Sequence, residues 1–445
     1  MISSRIFGHL WTTPEATALF TDEGRTQGWL DVLAALAEAQ ADVGLVPRDA
    51  ADAIHAGAKV STVDIDSVAE QTRACGHSTL GLIRTLRETL PPDAAQWVYY
   101  GATVQDLTDT WTALVFRTVG DIAERDVRRL RDRALALAVA HRDTPMCGRT
   151  HGQPGLPITF GFKAAVWAAE LDRHLRRLAE GRVRWENVQL GGALGTMEFW
   201  GDRALDLLDA FAARLGLGVA PVPWLTARDG IAEFTGLLAA MSATIAKIGN
   251  EVYQLQRPEI GELAEGGSAA AVGSITMPHK RNPEISEQLG TLSRVVRAQA
   301  ALALEGIGCE HERDGRAWKT EWRLVPDACC SFAACAALGA EMLDGLAVDA
   351  DRMRRNIDAQ RGYLLSEPVM RALADRVGKH IAQELVRSAA LAGLQSDVDF
   401  RTALRNCAGT ALLSDAELDR LLTVDSALGA CGAFVDRVRA ECGAA

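Results

Sequence analysis

The chain has 445 residues, a net charge of −11 and 6% aromatic residues, a length that predicts two to four domains instead of one simple core. Its acidic balance excludes nonspecific attraction to nucleic acid or anionic lipid, while local basic groups stay available for an anionic metabolite. Ala and Leu dominate and the 14 prolines are too few for a loop-rich fold, so a mainly helical protein is expected.

From about Asp22 to Val43 the apolar residues recur at helical spacing, with Trp29, Leu30, Val32, Leu33 and Leu36 on one face. Leu45-Val46-Pro47 ends this helix, and Asp49 is placed to cap a short one that follows. A further helix runs from Thr79 to about Leu86, and Pro91-Pro92 marks a break before a domain boundary near Gly101. Residues 105–141, 155–185, 228–265, 283–310 and 325–348 predict five long helices with short connections, hence an antiparallel bundle. Their apolar faces are wider than one bundle buries, which points to packing between subunits. After Asp349, shorter helices separated by Gly362, Gly393 and Gly409 predict a small terminal domain. The expectation is an all-α chain of three helical domains, 1–104, 105–348 and 349–445.

No apolar run reaches the length of a membrane crossing; the longest, about Ala328 to Ala340, predicts a buried helix. The first residues lack a secretory pattern. Nine cysteines fall without regular spacing, and there is no C-x-x-C or H-E-x-x-H string. A cytoplasmic protein with no structural metal, no cofactor and no membrane or nucleic-acid partner is expected.

Three polar islands interrupt this helical background. Gly101 to Thr110 contains Thr103, Gln105 and Asp106; Thr103 or Asp106 suits the N-cap of the helix that follows, and the alternative is a hydroxyl and backbone N–H groups gripping a carboxylate. Gly148 to Pro154 sets Thr150, His151 and Gln153 among glycines, and imidazole is the side chain best matched to proton transfer near neutral pH. The third, Gly273-Ser274-Ile275-Thr276-Met277-Pro278-His279-Lys280-Arg281-Asn282-Pro283-Glu284, follows the small-residue run Gly266 to Ala271. It packs a hydroxyl, a fixed cation and an amide into constrained backbone, a set suited to removing a proton and holding the charge that appears.

The last string resembles the G-S-S-x-M-P-x-K-x-N-P signature of the fumarase/aspartase superfamily, departing from it at Ile275, where a second Ser is usual. The other two islands resemble that family's remaining active-site segments in the same order, and the similarity runs from Phe20-Thr21-Asp22 through Leu418-Asp419. The resemblance implies a homotetramer whose long helices form a shared core and whose composite sites take one segment from each of three subunits. It implies removal of a proton beside a carboxylate of a small dicarboxylate, then expulsion of a group from the adjacent carbon, usually giving fumarate. Ser274 takes the proton and His151 donates one to a leaving nitrogen. Thr103, Gln105, Thr150, Gln153, Lys280, Asn282 and His77 match substrate-binding positions, and Arg228 is left between anion ligand and structural ion pair.

Two branches of the family compete. His151, and Gly76-His77-Ser78-Thr79 with Ser78 where Asp is usual, resemble adenylosuccinate lyases. Trp318-Lys319-Thr320-Glu321-Trp322 resembles instead the A-W-x-A-E-W pattern of 3-carboxymuconate cycloisomerases and stands where the lyases bind a nucleotide phosphate. Ala227 replaces a Gln usual in both. This mixture implies a fumarate-forming C–N lyase acting on a compact substituted succinate, such as nitrosuccinate or an N-substituted aspartate. A cycloisomerase ranks second, adenylosuccinate lyase third, and a catalytically silent homologue is the non-enzyme alternative.

Overall fold

The computed structural model describes residues 4–266, 274–277 and 279–443. Eighteen α-helices, six short 3-10 helices and three two-stranded pairings make up its regular structure among those residues, so the all-α expectation holds. The five long helices are Val104–Ala140, Phe160–Trp185, Asp229–Gln256, Glu284–Glu305 and Gly315–Asp344. Contacts divide the chain into two compact units. One comprises Met1–Asp126, His174–Ile245 and Gln288–Leu338; the other comprises Val127–Arg173, Ala246–Glu287 and Gly339–Ala445. Each long helix contributes residues to both.

In the first unit the Asp22–Asp42 helix turns Leu30, Leu33 and Leu36 into a core with Ile54, Leu82, Leu86, Leu107, Trp200 and Phe211. Thr21 caps it by accepting the Gly24 N–H. Pro47, not Asp49, is the N-cap of the following Arg48–Gly57 helix; Asp49 lies in the first turn and accepts the Ala50 N–H at 3.0 Å. In the second unit Val369, Leu373, Val386, Phe400, Leu404 and Leu418 from the short C-terminal helices form a separate core.

Residues 155–159 are not the start of a helix. They close an antiparallel hairpin, Pro145–Thr150 with Gln153–Thr159, in register Met146↔Ile158 and Thr150↔Gln153. Pro154 and Pro157 lack the N–H a helix would use, and Ile158 and Cys147 sit on a strand, where alternation replaces the helical period. The Gly315–Asp344 helix begins ten residues before its expected start, with Pro326 inside it.

Two helices, Asp229–Gln256 and Gly315–Asp344, do have the length and hydropathy of a membrane span, because an average over a window tolerates charges that interrupt a run. Of those windows 67% and 72% is buried inside the fold, as in core helices. No disulfide is formed among the described residues, and Cys329, Cys330 and Cys335 are buried in the Gly315–Asp344 helix.

Candidate active site

In the first unit the Thr103 island opens the Val104–Ala140 helix. The Thr103 backbone N–H donates to Asp106 Oδ2 at 2.9 Å. Asp106 also accepts from Gln189 Nε2 at 3.1 Å and from the backbone N–H groups of Gly191 at 2.8 Å and Gly192 at 3.0 Å. Three of these four donors, from Gln189, Gly191 and Gly192, tie the 189–192 loop to the helix N-terminus, a role that the N-cap pattern alone did not disclose. Burial pushes the Asp106 carboxyl up to about 6, against the pull of those hydrogen bonds. Gln105 is buried and donates from Nε2 to the Leu225 carbonyl at 3.0 Å and to Asp109 at 3.3 Å. His77 is exposed, and its Nδ1 accepts the Leu80 N–H at 3.2 Å, capping the Leu80–Thr89 helix.

Arg228 lies between two carboxylates. Its Nη1 donates to Asp109 Oδ2 at 2.7 Å, its Nε donates to Glu321 Oε1 at 2.8 Å, and its Nη2 reaches both acids. Arg228 is 1% exposed, Asp109 2% and Glu321 6%. Burial lowers the guanidinium pKa, but the Asp109 charge and the Glu321 hydrogen bonds overcome that and keep it cationic. Burial holds Glu321 above the usual carboxylate range, with Arg228 opposing. One cation therefore serves two buried acids, 93 and 119 residues away along the chain. Trp318, one turn before Glu321, meets Trp322 edge to face with ring centroids 4.8 Å apart.

The second unit carries the other two islands. Thr150 pairs with Gln153, so His151 and Gly152 form a two-residue turn with φ of 52° and 75°. Both values being positive makes it a type I′ turn, which matches the twist of the strands it joins. The turn leaves Thr150, His151 and Gln153 exposed at the hairpin tip. Arg149, just below the tip, makes a two-pronged pair with Glu262 at 2.7 and 2.8 Å. Glu262 is 0% exposed and also accepts from Asn356 Nδ2 at 2.8 Å.

A second carboxylate, Glu265, holds the C-terminal end of the signature loop. Glu265 accepts the backbone N–H groups of Ile285 at 2.9 Å and Ser286 at 3.0 Å, and the Ser286 hydroxyl at 2.7 Å. It thereby caps the Glu284–Glu305 helix from across the loop. Within the loop, Ser274 Oγ accepts the Met277 N–H at 3.0 Å, and the Met277 carbonyl accepts the Lys280 N–H at 2.9 Å. Asn282 Nδ2 donates to Glu284 at 3.1 Å. Lys280 and Ile275 are exposed. Residues 267–271 of the small-residue run, with Gly273 and Pro278 of the signature, lie outside the described residues. Among the described residues no cluster of three His, Cys, Asp or Glu is placed to hold a metal.

The structure therefore sorts the candidates into two sets. His77, Thr103, Gln105 and Arg228 belong to the first unit; Thr150, His151, Gln153, Ser274, Lys280 and Asn282 belong to the second. Gln105 and Arg228 meet at Asp109 and the Leu225 carbonyl. Sequence reasoning missed the anchoring roles of Asp109, Glu262, Glu265 and Glu321, whose partners are distant in the chain; the available signals were an acid inside the first island, two just before the third and one between Trp318 and Trp322.

The family described as Lyase matches residues 10–298, and that described as Adenylosuccinate lyase C-terminus matches residues 362–438. The chain is 38% identical to an N-acetyl-S-(2-succino)cysteine lyase of Enterococcus italicus, covering 97% of this chain and 94% of the relative. It is 37% identical to a 3-carboxy-cis,cis-muconate cycloisomerase of Pseudomonas aeruginosa, covering 99% and 96%. The crystal structure of a 3-carboxy-cis,cis-muconate lactonizing enzyme from Pseudomonas putida superposes with a TM-score of 0.92 at 34% identity, over 99% of each chain.

Proposed function

The chain belongs to the fumarase/aspartase superfamily, in the branch shared by adenylosuccinate lyases and carboxymuconate cycloisomerases, and from that premise we propose that it is a fumarate-forming β-elimination lyase acting on a small substituted succinate. The observation that carries this reading is the Ser274 hydroxyl, which accepts the Met277 N–H at 3.0 Å inside the signature loop. A serine oxygen is a weak base until its oxyanion is stabilised, and a backbone N–H aimed at it supplies part of that stabilisation. Ser274 removes the proton from the carbon beside a carboxylate. The negative charge moves onto the carboxylate oxygens, where Lys280, Asn282 and Thr103 stabilise it. The bond to the substituent on the adjacent carbon then breaks, its electron pair leaving with the substituent, and the new double bond gives fumarate. His151 protonates the departing group when that group is a nitrogen, and a homotetramer assembles the hairpin, the loop and the Thr103 helix from different subunits into one site.

The substituent is joined through nitrogen, as in nitrosuccinate or an N-substituted aspartate, or through sulfur, as the name of the Enterococcus relative suggests. A cycloisomerase is the second reading, favoured by the Trp318–Trp322 pattern and by the Pseudomonas relative. The test is a panel of nitrosuccinate, an N-substituted aspartate, an S-succinylated thiol, adenylosuccinate and 3-carboxymuconate. Fumarate is followed by absorbance and products are identified by mass. Fumarate from one of the small succinates is expected; lactone from carboxymuconate, with no fumarate from any succinate, would replace the lyase by the cycloisomerase.

A further inference from the structure

Thr13 and Thr21 cap their helices in the ordinary way, their hydroxyls accepting the Ala16 N–H at 3.3 Å and the Gly24 N–H at 3.0 Å. Thr103 stands at the same place before Val104–Ala140, yet its hydroxyl does not take that part. The Asp106 N–H, three residues on, donates to the Thr103 carbonyl at 3.0 Å instead. Among the described residues the Thr103 hydroxyl has no hydrogen-bond partner, and the residue is half-buried. The cap is supplied from the other side: the Asp106 carboxylate, one turn into the helix, accepts the Thr103 N–H at 2.9 Å.

Asp106 is 2% exposed, so it does not itself meet a substrate. Each of its oxygens takes two donors: Oδ1 accepts from Gln189 Nε2 and the Gly191 N–H, Oδ2 from the N–H groups of Thr103 and Gly192. Four N–H donors match an ionised carboxylate, whereas a carboxylic acid or an amide would bring a hydrogen of its own against one of them. Gln189 is fully buried and joins this cluster to the next segment. Its Oε1 accepts the Trp224 N–H at 2.6 Å, and its backbone exchanges two bonds of 2.9 Å with the Thr110 hydroxyl. The helix start, the 189–192 loop and Trp224 thus form one hydrogen-bonded network within the first unit. Burial pushes the Asp106 carboxyl up to about 6, so its charge costs stability at neutral pH. A buried charge of that kind is better explained by use in a site than by stability.

We propose that Asp106, with Gln189 behind it, is a positioning residue: it caps the Val104–Ala140 helix in place of Thr103 and so reserves the Thr103 hydroxyl for a carboxylate of the substrate. This rests on the lyase reading above, in which Thr103 helps to hold the charge that appears when Ser274 takes the proton. Asp106 acts on the substrate only through Thr103, so its effect vanishes once the hydroxyl is gone.

The test is a double-mutant cycle on the full-length protein. For wild type, Thr103→Val, Asp106→Asn and the double variant, kcat/KM is measured for fumarate formation from the best small succinate. The Kd of fumarate, by equilibrium dialysis, and the urea midpoint are measured at the same pH. Each single variant is expected to lower kcat/KM and to weaken fumarate about tenfold or more, and the double variant no further than Thr103→Val alone. In a Thr103→Ser background, which keeps the hydroxyl, Asp106→Asn is expected to have its full effect. Gln189→Met removes one donor of the four and serves as the second probe should Asp106→Asn not fold; it is expected to weaken fumarate about threefold, again only while the hydroxyl is present. An unchanged kcat/KM in Asp106→Asn, losses that multiply in the double variant, or losses that track the urea midpoint overturn the proposal. The coupled pattern in the Kd of fumarate, with no fumarate formed from any succinate, overturns the lyase reading instead, so the two failures are distinguishable.

Discussion

Replacing Arg228 by leucine removes the cation that faces both Asp109 and Glu321. All three side chains are nearly inaccessible, at 1%, 2% and 7% of their free exposure. The substitution discards contacts at 2.7 Å to Asp109 and 2.8 Å to Glu321 and leaves two acids buried together. Breaking a buried pair from one side costs about 3–5 kcal/mol, because the remaining charge loses its partner and keeps its desolvation penalty. The cost has a sign in pH. Burial already holds the Glu321 carboxyl above the usual range, and without Arg228 nothing from that guanidinium pulls it down. A carboxyl with a raised folded pKa favours the fold while protonated and penalises it as pH rises through that pKa. Urea denaturation followed by tryptophan fluorescence should therefore show a deficit of about 3–5 kcal/mol at pH 8 that shrinks toward pH 5. Adding Glu321→Gln should recover part of it. A deficit below about 1 kcal/mol, or one that does not change between pH 5 and 8, would refute the account of Arg228 as the clamp of a buried ion pair.

Other perturbations test the remaining anchors. Arg149→Leu strips Glu262, which is 0% exposed, of its two-pronged partner; a loss of about 3–5 kcal/mol is expected, with faster amide exchange across Pro145–Thr159. Asp106 has its pKa raised from the ordinary 3.8 to about 6, a gap worth about 3 kcal/mol. Wild type should lose about that much stability relative to Asp106→Asn as pH rises from 4 to 7, and parallel urea titrations would show whether it does. His151→Asn should lower kcat by about 10²–10⁴ for an amine leaving group and far less for one departing as a stable anion; equal losses for both would assign His151 to binding.

The helices were legible because their apolar spacing is local. The face containing Leu30, Leu33 and Leu36 was visible in the sequence and is buried as one surface. The hairpin was not, because Leu156 and Ile158 run directly into the apolar face of Phe160–Trp185 and extend its pattern backward. The three islands were legible as interruptions of that periodicity. What holds them was hidden: Arg149 finds Glu262 113 residues away, and Asp106 finds Gly191 85 residues away. Such pairs leave no local pattern, since each partner is an ordinary charged or small residue among its neighbours. Trp318 and Trp322 stood out as a string resembling the cycloisomerase pattern, whereas Trp29 counted only as part of an apolar face.

The most direct test of the account is fumarate production by wild type and Ser274→Ala from the best small succinate, measured at matched enzyme concentration with substrate binding checked separately. The account predicts that the variant still binds substrate but forms fumarate at least about 10²-fold more slowly, because no other group in the loop takes the proton. Fumarate formed equally fast by the variant would contradict it.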